Sequence, residues 1–206
     1  EDRLGYEVVR LDNPSRRSVV AALNRLAIEL EPSDSLLIYY AGHGELLPTT
    51  GHGYWLLGDS RASDPSGWLS NVDIDRLIGR IDAAQVALIS DSCYSGALMA
   101  RERIHARPER PDPAALLARK AVVVMSSGAN EPVADQGRDG YSLFAWSLMQ
   151  ALQQVASWQP GGNLFERVRY LVARELPQRP QYGPSRAGHQ SGSDYVFEQR
   201  QLEPER

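Results

Sequence analysis

Apolar positions along this chain fall into two patterns: short unbroken runs, and stripes at helical spacing. The longest runs are LLIYYA at 36–41, VALIS at 86–90 and AVVVM at 121–125. Runs of this length, bounded by turn residues, predict strands buried on both faces of a sheet. Shorter stretches at 7–11 (EVVRL), 54–57 (YWLL) and 195–197 predict further strands. Between residues 14 and 30, Val19, Val20, Leu23, Leu26, Ala27 and Leu30 share one side of a helix. A second helix is predicted at 71–81, opened by a Ser/Asn cap, with two more at 141–155 and 164–176. Pro32-Ser33-Asp34 predicts a turn, and residues 48–53 (PTTGHG) a loop joining two strands. Strands alternating with helices imply an α/β fold, a mainly parallel sheet with helices on both faces.

Composition narrows the class. A chain of 206 residues, 42% hydrophobic and 23% charged, suits one globular domain spanning 1–206. The net charge of −4 lacks the basic excess of a nucleic-acid binder, so no nucleic-acid partner is expected. No apolar run approaches the ~18 residues of a membrane span. No secretion signal is evident, so a cytoplasmic location is expected. The single cysteine excludes an internal disulfide and a multi-cysteine metal site. A lone cysteine is ordinarily a small buried hydrophobe. Residues 101–119 form a long Arg-rich, Pro-containing stretch, expected to be an exposed loop, either functional or a solvated surface segment.

The setting of that cysteine is not that of a core residue. In parallel sheets, sites lie beyond the carboxyl ends of strands. The run at 36–41 leads into Gly42-His43-Gly44, and the run at 86–90 leads into Asp91-Ser92-Cys93-Tyr94-Ser95-Gly96. Were these strands parallel neighbours, His43 and Cys93 would emerge at one edge. A thiol becomes a strong nucleophile when an imidazole takes its proton. Their separation of 50 residues matches the His-to-Cys spacing of caspases. Gly42 and Gly44 would let the backbone turn sharply and approach a substrate. The N–H groups of Gly44 and Cys93 are the candidate oxyanion donors. Gly96 would let the chain turn after the nucleophile. A second triplet, Gly51-His52-Gly53, does not follow a long apolar strand, so His52 is assigned to the loop; His105 and His189 are assigned to the surface.

Together YYAGHG, GYWLLGD and VALISDSCYSG resemble the caspase-like cysteine peptidase superfamily, with the closest likeness to bacterial metacaspase-like (orthocaspase-type) domains. The later stretches VVVMSSGANEPVADQGRDGYSLFAWSLMQAL and QRPQYGPSRAGHQSGSDYVF extend the resemblance over nearly the whole chain from about Leu4. It implies a caspase-like α/β fold and a cysteine endopeptidase with a His43–Cys93 dyad. Asp91 falls where metacaspases bind a basic side chain, which implies cleavage after Arg or Lys; a turn-capping role for Asp91 stays open. Ser127, just after a strand, would line the substrate groove. Self-processing within 101–119 is implied, as are protein or peptide substrates. No cofactor is required. Calcium is open through Asp59, Asp64, Asp73 and Asp75, although their spacing matches no EF-hand and solvated acids fit them better. Family domains begin with an apolar strand and a helix upstream of LGYEVVRL, whereas Glu1 stands just ahead of that region. The sheet is therefore expected to lack its first strand, which an upstream segment, separated by cleavage or not, or a partner chain would supply; an upstream sensor domain is a further expected partner. The alternative function is an inactive caspase-fold interaction module.

Overall fold

The computed structural model describes residues 4–100, 102–107, 109, 111–128, 137–186 and 193–199. In chain order they form α1 (Arg16–Glu29), β1 (Ser35–Ala41), β2 (His43–Leu47), β3 (His52–Leu56), β4 (Leu69–Ser70), α2 (Asn71–Gly79), β5 (Gln85–Asp91), α3 (Pro113–Leu117) and β6 (Ala121–Ser126). After these come β7 (Gly137–Arg138), β8 (Tyr141–Ser142), α4 (Leu143–Gln153), β9 (Trp158–Pro160), α5 (Gly161–Ala173), β10 (Gln181–Pro184) and β11 (Val196–Glu198). The main sheet has the order β1-β5-β6-β10, with β1, β5 and β6 parallel and β10 antiparallel at one edge. It is a mixed, mostly parallel α/β sheet covered on both faces.

Alternation along the strands divides the core in two. Leu37, Ala87, Ile89, Val123 and Met125 face α4 and α5, whose Phe144, Leu148, Phe165 and Val168 complete one cluster. Leu36, Ile38, Val86, Leu88, Val122 and Val124 face the other way, onto Ile74 and Ile78 of α2, Val19, Val20 and Ala27 of α1, and Trp55. Serines open three of the helices. Ser15, Ser70 and Ser142 accept backbone N–H bonds at the starts of α1, α2 and α4, so the capping pattern reads true.

Three expectations fail, each for a packing reason. Residues 7–11 are no strand; Val8, Val9 and Leu11 are exposed and no strand pairs with them among the described residues. Residues 36–41 do form a strand, but β1 is an edge strand and is only half-buried, with Tyr39 exposed, unlike the fully buried interiors of β5 and β6. The 101–119 stretch is not all loop. It holds α3, and Ile104 N–H donates to the Tyr182 carbonyl while Arg107 N–H donates to Asn163 Oδ1.

Candidate active site

The site forms where β1 and β5 end together. Their register pairs Ser35 with Gln85 and runs unbroken to Ala41 with Asp91, a constant offset of 50. His43 and Cys93 are separated by the same 50 residues, so each lies two positions beyond a paired strand end. Gly42 N–H still donates to the Asp91 carbonyl at 3.3 Å, carrying the pairing one step past the strands. Beyond that point the chains diverge. His43 is the first residue of β2 and pairs with Leu56 of β3, so it sits in a hairpin and not in the turn that the sequence predicts. The imidazole is exposed, and Cys93 is half-buried.

Gly44 packs directly on the nucleophile's turn. A Cβ there would strike the Cys93 carbonyl, so only glycine allows this approach. Neither Gly42 nor Gly44 has a positive φ; close approach, and not turning freedom, is what they supply. Gly96 does not make the turn after Cys93 either. Tyr94 does, in the left-handed region at φ 59°, followed by a short 3-10 turn at Ser95–Leu98. Asn71, buried at the start of α2, donates from Nδ2 to the Tyr94 carbonyl at 3.2 Å and braces that conformation.

Asp91 points to the α4 side. Its carboxylate accepts from Tyr39 at 3.2 Å and from the Ser142 and Ser127 hydroxyls, and no salt bridge reaches it among the described residues. Burial holds its pKa above the usual carboxylate range, and the three hydroxyls only partly offset this. Desolvation at its hydroxyl end, with the Asp91 charge beside it, lifts the phenol of the otherwise exposed Tyr39 above its ordinary range. Ser127 is fully buried; its hydroxyl is shared between the Asp91 carboxylate and the Ser92 carbonyl, and it sits behind Asp91, not along an open groove. Ser142 belongs to the β7–β8 hairpin, which Arg138 pins through Glu175 and the Trp146 ring, 4.6 Å away. The opposite side is a neutral frame. Trp55 Nε1 donates to Ser90 Oγ at 3.2 Å, and the Ser90 and Ser92 hydroxyls bond each other at 3.0 Å. Tyr39, Ser142, Tyr40, Trp55 and Asn71 escaped the sequence reading. Only Ser142 carried a usable signal, as a serine ahead of a helical stripe.

The Caspase domain family profile matches residues 1–189. This chain belongs to the caspase-domain family. Its relatives are cysteine peptidases, which agrees with a thiol at the edge of the sheet. Among solved structures, caspase-1 from Spodoptera frugiperda is similar at 16% identity and TM-score 0.65, covering 98% of this chain and 78% of that one. Protein GSU0716 from Geobacter sulfurreducens is similar at 20% identity and TM-score 0.54, covering 83% and 73%. At these identities the likeness speaks to the fold. No curated protein matches the chain in sequence.

The remaining candidates of this caspase domain do not join the site. His52 lies at the far end of the β2–β3 hairpin, paired with Leu47. His105 is exposed, and His189 lies outside the described residues. Three of the four acids have other work: Asp59 accepts from Arg16 N–H, Asp64 caps the Pro65–Gly67 turn, and Asp73 bonds Ser70 and faces Arg16. Among the described residues no group of three or more His, Cys, Asp or Glu could hold a metal ion. No helix among them is long and apolar enough to cross a membrane.

Proposed function

We propose that this caspase domain is a cysteine endopeptidase, of metacaspase type, that cleaves after Arg and less readily after Lys. Cys93 Sγ attacks the scissile carbonyl carbon and passes its proton to His43. His43 then protonates the departing amine as the C–N bond breaks, leaving a thioester that water hydrolyses. The N–H groups of Gly44 and Cys93 hold the oxyanion, a role supported by the contact between these two backbones. The observation that supports the reading is the shared offset of 50: the unbroken β1–β5 register ends two residues before both His43 and Cys93. The basic preference rests on Asp91, a half-buried carboxylate bonded by hydroxyls, which a guanidinium would complete. No cofactor enters these steps. A lone nucleophilic thiol suits a reducing, cytoplasmic setting.

Two features extend the reading. The outer edge of β1 pairs with nothing among the described residues, and Tyr39 of that strand is exposed. A further apolar strand, from a partner chain or an upstream segment, would cover that edge. Self-processing would fall within 101–119, where Arg103, Arg107 and Arg119 are exposed. An Arg-bearing peptide chloromethyl ketone tests the activity. It should label Cys93 in the unmodified chain and fail to label His43→Ala. Absence of both labelling and peptide hydrolysis would favour the interaction module instead.

A further inference from the structure

His43 is exposed, so packing of its own ring does little to hold it. Its backbone, however, is gripped from below. The Tyr40 hydroxyl lies 2.9 Å from the His43 carbonyl and 3.1 Å from the Leu56 carbonyl. Those two residues are the first rung of the β2–β3 hairpin, so one phenol clamps the rung that carries the imidazole. The Tyr40 ring in turn stacks on Trp55, with centroids 3.9 Å apart and planes 14° from parallel. Trp55 donates to Ser90, and Ser90 bonds Ser92, the residue before Cys93. Trp55, Ser90 and Ser92 are all buried, so water does not compete for these bonds. Gly42 completes the fit, because a Cβ there would press on the Tyr40 phenol at 2.6 Å.

We infer that Tyr40 is a positioning residue, which fixes His43 relative to Cys93 through its hydroxyl and its stack on Trp55. The inference rests on the dyad reading above. The contacts of Tyr40 itself are to His43, Leu56 and Trp55, and the linkage meets the Asp91 side only at its far end, where the Ser92 carbonyl accepts from Ser127. Losing its clamp should therefore affect the chemical step and leave substrate selection alone. A misplacement near 1 Å in such a pair costs up to roughly 100-fold in rate.

The test is Tyr40→Phe, which removes one oxygen and keeps the stack. In the full chain, kcat on Arg peptides should fall roughly 10- to 100-fold, with KM and the Arg-over-Asp ratio unchanged. The rate at which iodoacetamide alkylates Cys93 at neutral pH should fall too. The deciding measurement is the double variant Tyr40→Phe/His43→Ala. If Tyr40 acts through His43, the double variant is no slower than His43→Ala alone in either assay. Equal fractional losses in both backgrounds, or an unchanged kcat in Tyr40→Phe, would overturn the inference and leave the dyad standing. If His43→Ala itself changes neither rate, the dyad falls and this inference falls with it.

Discussion

The two sides of β5 at its carboxyl end are built on opposite terms. Toward the hairpin, Ser90 and Ser92 meet Trp55 and Tyr40, and every linking group is neutral and bonded within the protein. Toward α4, Asp91 is a half-buried carboxylate set among the hydroxyls of Tyr39, Ser127 and Ser142, with no salt bridge among the described residues. A satisfied neutral network stiffens a fold and asks for nothing more. A partly buried carboxylate short of a cation is destabilising on its own, and such groups are candidates for binding a cation. On the proposed function, the difference would give rigidity to one side and recognition to the other, with Cys93 and His43 on the line between them.

The largest effect should come from that line. Cys93→Ala should lower peptide hydrolysis at least ~1000-fold, with His43→Ala close behind, because such pairs act as a unit. Both variants should keep the circular dichroism of the unmodified chain, since neither residue is fully buried. In aged protein, N-terminal sequencing should find fragments beginning after arginines in 101–119, and Cys93→Ala should yield none.

The pocket side should respond to pH and the frame side should not. Burial raises the Asp91 pKa in the folded state, so its contribution to stability is full below the unfolded value of about 3.9 and is lost as pH rises through the folded value. Asp91→Asn should therefore be more stable than the unmodified chain at neutral pH, with the gap closing in acid. Thermal melts across pH check this. Hydrolysis of Arg peptides should also decline, on acidification, at a higher pH than an ordinary carboxylate would give, and this limb should vanish in Asp91→Asn. The smallest effect belongs to the frame. Trp55→Phe removes one buried donor and should cost about 1 kcal/mol in urea unfolding, with no change in the Arg-over-Asp ratio.

How much of this was legible depended on where each contact lies along the chain. The three apolar runs and the 50-residue spacing state the sheet and its candidate edge directly, because parallel register turns a sequence offset into a spatial one. Position within the sheet is not written in a strand's own residues. EVVRL and LLIYYA look as strand-like as VALIS, yet the first stays unpaired among the described residues and the second lies at an edge. Strand β10, QYGP, went unseen because Gly and Pro argue against a strand, and an antiparallel edge tolerates them. The partners of Asp91 come from residues 39, 127 and 142, each on a different element, so no local pattern could gather them. Ser142 was read as part of a helix when it is the cap.

The central claim is that Cys93 works beside a pocket whose floor is the Asp91 carboxylate. The most direct measurement is kcat/KM for two fluorogenic peptides that differ only in Arg or Asp at the cleaved position, taken on the unmodified chain and on Asp91→Asn. The account predicts strong preference for Arg in the first. In the second it predicts a loss of about 100-fold on the Arg peptide, the scale of one buried charge pair at about 3 kcal/mol, with little change on the Asp peptide. Asp peptides cut as fast as Arg peptides, or an Arg preference that survives Asp91→Asn in a folded protein, would contradict it.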